Sequence, residues 1–426
     1  MTTTTDTNID NDKKKDIYYK KNATGISGVE FFWGLGLPVV IESTFLQLFI
    51  KSIGGSGFAT GLIPSFFYIG CSVFALLASF YSSKIVRKRN IVVLLHIVPS
   101  TSLLAFGAIM FYFGKVDQLL LIFFICYAIF SLFLGMTVPI WLSYIVDIFS
   151  VEKSISGMSF MLISQNLGKI LSSFLILKVV EKTAFSIESS ALIFITVGIL
   201  FVVGSFFFYL TKEIPEDAPT NNKNQNFISY TVESFKHILN NKNYLYWLCG
   251  DSFFVALITV ISFYAVYATK YCGIDRATAS GMFVGCIYIG AITANFIFGT
   301  LGKLSIRTRY FIATFSTLLG IIILILFKHY FAFYLVSFLF GISRGTRMLL
   351  FAAVTKNLSG LKDSTSYFAV SPLLTLPFSA VYPLAFGKVT DLLENYGDLS
   401  FKIMFITSAL LLLVALYCFY KTDFKE

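Results

Sequence analysis

The sequence predicts an all-α polytopic membrane protein with twelve transmembrane helices in two pseudo-symmetric six-helix bundles. Three observations carry this. First, 56% of the 426 residues are hydrophobic and only 13% are charged, about half the ~25% typical of soluble domains. A soluble fold of this length does not hide so much apolar surface, and disordered chains are poor in such residues. Second, nine stretches contain no Asp, Glu, Lys or Arg: 52–83, 90–114, 118–146, 189–211, 252–269, 277–302, 310–327, 364–387 and 403–420. Three more apolar stretches, 26–50, 154–180 and 329–354, are interrupted by charge, which makes twelve. A bilayer crossing needs ~20 mostly apolar residues. Third, runs such as Phe123–Phe133 are apolar on every face. That fits helices and not the period-two alternation of a membrane barrel.

Taken in order, residues 1–25 hold Thr, Asp, Asn and Lys without an apolar core. They are expected to form a disordered cytoplasmic tail and not a signal peptide. Spans 1–6 occupy 26–210 as an N-terminal bundle. The only long polar segment inside the chain, 211–243, carries Pro215, Pro219 and an Asn/Lys/Gln run, and forms a cytoplasmic linker. Spans 7–12 follow over 244–420 as a C-terminal bundle, and 421–426 is a second cytoplasmic tail. Net charge is +10 from 33 basic and 23 acidic residues. With both termini in the cytoplasm, 21 basic residues fall inside, nine outside, and three within helices. That split follows the positive-inside rule for a cell (inner) membrane protein, so the basic excess encodes topology and not nucleic-acid binding. On that side the Asn22-Ala23-Thr24 sequon is idle. The six cysteines show no paired spacing and serve as small apolar residues. His96 and His329 lie near span ends and are expected at the interface, as are the aromatics of Phe206–Tyr209.

The halves match each other at a fixed offset of 220: Tyr68-Ile69-Gly70 meets Tyr288-Ile289-Gly290, Gly61 meets Gly281, Arg87 meets Arg307 and Arg89 meets Arg309. A weaker register at 206 aligns Ser131–Gly135 with Ser337–Gly341 and relates span 4 to span 10. Parallel six-helix repeats are one way transporters are built.

With these residues in place, the chain resembles the major facilitator superfamily, as a bacterial member of no defined substrate group. The family's loop between helices 2 and 3 follows roughly G-x-L-A-D-R-x-G-R-R. Here it reads Ser79-Phe80-Tyr81-Ser82-Ser83-Lys84-Ile85-Val86-Arg87-Lys88-Arg89, and its repeat runs from Gly299 and Leu301 to Arg307 and Arg309. The basic core is kept twice, while Ser83 and Lys303 replace the family's Asp, and Val86 and Ile306 its second Gly. Span 5 has no proline for the G-x-x-x-G-P signature of drug antiporters, and span 4 lacks their arginine. The resemblance implies that helices 1, 4, 7 and 10 line a central cavity bordered by helix 5.

An ionisable side chain at mid-membrane costs ~2.5–3.5 kcal/mol on insertion scales, so each one asks for a function or a partner. Glu42 lies one turn after Pro38, which bends the helix, and Glu30 sits nearer the inner end, where a cytoplasm-facing role is equally open. Lys169 shares a stripe with Gln165, Ser172 and Ser173, bordered by Asn166. Arg344 and Arg347 are three apart on span 10 and suit a carboxylate or phosphate, with Arg347 the weaker candidate. Asp251 in span 7 is expected to pair with Lys169 or Arg344, or to accept a proton. Three cations against Glu42 and Asp251 hint at an anionic solute. The basic loops, Lys84, Arg87 and Arg89 with Lys303, Arg307 and Arg309, are candidate conformational-switch contacts. Pro372, Pro377 and Pro383 make span 11 irregular, a candidate gating helix.

No phosphate loop, metalloprotease motif or metal-ligand cluster appears, so neither an enzyme nor a cofactor or metal is expected. The expected function is secondary active transport of a small, anionic solute by alternating access, as a monomer, with a proton or sodium co-substrate in the manner of a symporter. A lipid flippase on the same fold and a non-transporting membrane sensor are the alternatives.

Overall fold

The computed structural model describes residues 14–41, 45–82, 85, 87–150, 153–214, 226–302, 304–361 and 364–424. Among the described residues every regular element is helical and none is a strand. Twelve helices are long and apolar enough to cross a membrane: Tyr19–Ser52, Gly57–Ser82, Arg89–Phe113, Leu119–Ile145, Ser156–Thr183, Ile187–Leu210, Lys242–Tyr271, Arg276–Thr300, Ile306–Leu326, Tyr330–Ser359, Ser366–Leu392 and Leu399–Lys421. These are spans 1–12. An even number of crossings puts both termini on one face, called here the terminal face, opposite a far face.

Span 1 consists of two helices, Tyr19–Val40 and Phe45–Ser52. It begins seven residues before the apolar run, so Tyr19–Gly25, within the stretch expected to be disordered, is helical. Asn22 anchors this turn: its amide donates to the Ile148 carbonyl at 2.9 Å and its oxygen accepts from the Lys212 N–H at 2.7 Å. The linker also gains structure. Phe227–Asn240 is a helix, while residues 215–225 lie outside the described residues. The Tyr230 hydroxyl meets the Ser79 hydroxyl at 2.8 Å, and His237 Nδ1 meets the Tyr367 hydroxyl at 2.8 Å, so this helix touches spans 2 and 11 together.

Spans 1–6 pack on one another, as do spans 7–12, and the two bundles meet through spans 2 and 11 and through spans 5 and 8. Glycines permit both seams. A Cβ on Gly61 would lie 2.7 Å from the Pro383 carbonyl oxygen, and one on Gly281 would lie 2.9 Å from the Ser173 carbonyl oxygen. Along the first seam, the Ser65 and Ser72 hydroxyls donate to the carbonyls of Ala380 (2.7 Å) and Pro372 (3.2 Å). At its far end the Asp391 carboxylate accepts the N–H groups of Gly57 and Phe58, both at 2.8 Å.

The sequence repeat is a packing repeat. A Cβ on Gly135 of span 4 would sit 1.9 Å from the Gly70 carbonyl oxygen of span 2; a Cβ on Gly341 of span 10 would sit 1.9 Å from the Ile287 carbonyl oxygen of span 8. Gly70 and Gly290 press in turn on Ser131 and Phe338. Bare backbone at these points is what lets each helix pair approach closely.

Span 11 keeps its prolines within a single helix. Thr365–Leu392 runs as one continuous α-helix with all three prolines inside it. Each proline forfeits one backbone bond, but in a membrane protein neighbouring helices and hydroxyl side chains sustain such a helix. Here Ser371, Thr375 and Ser379 donate back to carbonyls one turn earlier, contacts that tend to bend a helix, and span 2 lies along the flank.

Candidate functional site

Between the bundles lies a cavity of about 280 Å³. Its wall includes Glu30, Gln165 and Lys169 from the N-terminal bundle and Asp251, Arg344 and Arg347 from the C-terminal bundle. Six of the eight sequence-chosen binding residues therefore share one space. Asn166 is buried but does not line it. Glu42 lies outside the described residues.

The N-terminal cluster is set by glycine. A Cβ on Gly34 would meet the Gln165 carbonyl oxygen at 2.2 Å, and one on Gly168 the Phe31 carbonyl oxygen at 2.4 Å. Spans 1 and 5 thus touch backbone to backbone, which brings the Gln165 side-chain amide onto the Glu30 carboxylate as a hydrogen-bond donor. Glu30 is only 4% exposed. It faces the cavity. Lys169, one turn beyond Gln165, is buried, and its ammonium lies 5.0 Å from the centre of the Tyr288 ring of span 8.

The C-terminal cluster is a closed ion pair. Asp251 accepts from Arg347 Nε at 3.0 Å and from a terminal guanidinium nitrogen at 2.8 Å. Neither Lys169 nor Arg344 is the recorded partner of Asp251, and Arg347, ranked weaker, is. The bidentate fork match favours an arginine over Lys169, since a carboxylate and a guanidinium form two parallel bonds; the turn of span 10 puts Arg347 there. Asp251 sits in the last turn of the helix Lys242–Ser252, just before span 7 is interrupted at Phe253 and resumes as Phe254–Tyr271. The Arg347 guanidinium also packs on Phe254 (4.4 Å) and Phe351 (4.9 Å). Gly341 and Gly345 press span 10 against span 8, which leaves the face carrying Arg344 and Arg347 toward the cavity.

Sequence reasoning missed the aromatic wall. Trp33 and Trp141, two of the chain's three tryptophans, line the cavity together with Tyr68 and Phe254. Scarcity of tryptophan was one usable signal, and Trp33 at three residues from Glu30 was another. His96 is a correction: it is not interfacial but 4% exposed and on the cavity wall. Its Nδ1 lies 2.7 Å from the Val92 carbonyl and its ring stands edge-on to Trp33 at 4.9 Å. Packing against span 1 outweighs position along the helix. His329 is exposed, as expected.

Of the loop residues, Lys84 and Lys303 lie outside the described residues. Arg89 donates to the Thr211 carbonyl at 3.2 Å, Arg307 to the Thr422 carbonyl at 3.0 Å, and Arg309 to the Leu304 carbonyl at 2.7 Å. Each of these contacts stays on its own half of the molecule. Arg87 is exposed. Among the described residues no group of three or more His, Cys, Asp or Glu is placed to hold a metal ion.

The structure is similar to several solved transporters, at identities that speak to fold alone. The nucleoside transporter NupG aligns with a TM-score of 0.63 at 13% identity, over 95% of this chain and 99% of that one. A variant of the E. coli fucose:proton symporter FucP aligns with a TM-score of 0.64 at 16% identity, over 95% and 99%. A bacterial homologue of the human lysosomal transporter Spinster, inward-facing and unoccupied, aligns with a TM-score of 0.59 at 12% identity, over 95% and 96%. No curated protein sequence matches the chain. The family profile of the Major Facilitator Superfamily matches residues 32–371. This multi-pass membrane protein belongs to the Major Facilitator Superfamily, a family of secondary transporters.

Proposed function

We propose that the chain carries a small anionic solute across the cell membrane by alternating access of its two bundles, with proton or sodium coupling. One observation carries the anion: the described ionisable lining of the cavity holds three formal cations, Lys169, Arg344 and Arg347, against two carboxylates, Glu30 and Asp251. In a space walled by low-dielectric protein, an excess of cations among the described lining supports an anionic guest. Arg344 and Lys169 are the residues assigned to hold it, one from each bundle, so that the solute bridges the halves. Asp251 is committed to Arg347. Glu30, whose hydrogen-bond partner is a neutral amide, is assigned the coupling proton. The cavity is complete within one chain, so a monomer suffices. The lysine and arginine distribution supports a cytoplasmic position for both termini.

The test is uptake into proteoliposomes of labelled lactate, succinate and benzoate, with fucose and uridine as neutral controls. A carboxylate is expected to accumulate, and Lys169→Ala or Arg344→Ala to abolish that uptake while the protein still reaches the membrane. Normal transport by both variants sinks the site assignment, and flux of the neutral solutes alone sinks the anion. Binding without flux identifies a sensor.

A further inference from the structure

Lys169 stands on a span of the N-terminal bundle, yet the ring that receives its ammonium belongs to the other bundle. Its Nζ lies 5.0 Å from the centroid of Tyr288 in span 8, inside the ~6 Å range of a cation–π contact. Both side chains are buried, at 6% and 1% exposure, so water screens the contact little. The Tyr288 hydroxyl is buried and has no hydrogen-bond partner among the described residues. A hydroxyl that makes no bond adds nothing to the site; the feature available to Lys169 is the ring face. The backbone fixes the approach. Gly281 of span 8 lies against Ser173 and Leu177 of span 5, with no room for a Cβ, so one side of Tyr288's helix is held directly on Lys169's helix.

The sequence repeat adds a second, independent observation. Tyr288 is the copy of Tyr68 at the offset of 220. Tyr68, in span 2 of the N-terminal bundle, lines the same cavity as Arg347 of the C-terminal bundle. Each copy of the tyrosine therefore stands beside a site that contains a cation from the opposite half.

We infer that Tyr288 is a positioning residue: its ring face seats the Lys169 ammonium across the bundle interface and ties the N-terminal charge cluster to span 8. The inference rests on the solute-site reading for its consequence in transport, but not for the contact itself. When the bundles rock apart along spans 5 and 8, this contact must stretch along with those of Ser159 to Asn295 and Thr300, and a solute anion at Lys169 competes for the same ammonium.

Two measurements on the purified full-length protein in detergent test it, and neither needs the solute. The first is a double-mutant cycle on thermal unfolding. Tyr288→Phe is expected to match the parent or exceed it, since it keeps the ring and removes an unbonded hydroxyl. Tyr288→Leu is expected to unfold more readily, and that loss to shrink by about tenfold in the folding equilibrium when Lys169→Met is present. The second is the Hε–Cε correlation spectrum of protein labelled at lysine Cε, with Lys169→Met identifying the Lys169 signal. The ring is expected to shift that signal upfield in the parent and in Tyr288→Phe, and the shift to vanish in Tyr288→Leu. Tyr288→Phe behaving like Tyr288→Leu in the spectrum overturns the inference, as does an equal cost of Tyr288→Leu with and without Lys169. Either result leaves the uptake test of Lys169→Ala untouched, so the two readings fail separately.

Discussion

The two bundles share a backbone plan and differ in how they hold charge. In the N-terminal bundle a carboxylate, Glu30, is held by a neutral amide, and a buried lysine lies on an aromatic ring. In the C-terminal bundle a carboxylate and a guanidinium close on each other with two bonds, at 3.0 and 2.8 Å. A pair of that kind satisfies both charges and resists exchange. A carboxyl on an amide keeps the option of binding or releasing a proton. The two halves therefore share the packing, as Gly135 and Gly341 show, and differ in their polar contacts: one half carries a closed ion pair, and the other is the half to which we assign the exchangeable proton.

The largest expected effect breaks the latch. Arg347→Met strands a buried carboxylate and is expected to cost ~3–5 kcal/mol of stability, seen as a lower unfolding midpoint in detergent. Adding Asp251→Leu removes the stranded charge and is expected to restore most of the loss. If the single variant is as stable as the parent, the pair does not hold the C-terminal bundle.

A smaller effect tests the shared packing. Gly135→Ala and Gly341→Ala each push a Cβ to 1.9 Å from a backbone carbonyl oxygen of the adjacent span. Overpacking of this kind costs ~1–3 kcal/mol, and the two variants are expected to lose similar amounts. A large loss in one and none in the other would show that the bundles are not packed alike.

Glu30→Gln separates the two clusters by function. Its stability is expected to stay within ~1 kcal/mol of the parent, because an amide can still hydrogen-bond to Gln165. Uptake driven by a pH gradient is expected to fail while solute exchange between preloaded vesicles and buffer continues. Retained accumulation would remove Glu30 from the coupling role.

The smallest effect lies outside the spans, where charge serves only the surface. Asp398 accepts from Lys328 at 2.7 Å and from Lys402 at 3.0 Å. The hydrogen bond from Lys328 holds its carboxyl below the ordinary value of 3.8. The stabilisation is therefore present above that value and disappears as pH falls through the lower folded value. Because the cluster is exposed, Asp398→Asn is expected to cost less than ~1 kcal/mol at pH 7 and nothing in strong acid. A cost that persists in acid would point to packing instead of charge.

Much of the site was legible because charge in a membrane is expensive. Five of the six chosen residues that line the cavity were found on that ground alone, and Gln165 by its stripe with Lys169. The partners were not legible. Asp251 chose Arg347 over Arg344 because bidentate geometry depends on how span 10 is turned against span 8, and Gly341 and Gly345 set that angle. His96 was expected at the interface and Trp141 was not singled out, since neither a lone histidine nor an aromatic reveals which way it faces. Three prolines mark span 11 as irregular, and the helix nonetheless runs unbroken along its seam with span 2.

The sequence by itself determined the class, the twelve crossings and the duplication, because burial in lipid leaves a length-coded apolar signature and repeats keep their glycines in register. Tertiary structure decided the rest: which carboxylate meets a guanidinium and which an amide, and which ring receives Lys169. Those outcomes turn on distances of a few ångströms between residues up to 135 positions apart, a separation no local pattern in the chain encodes.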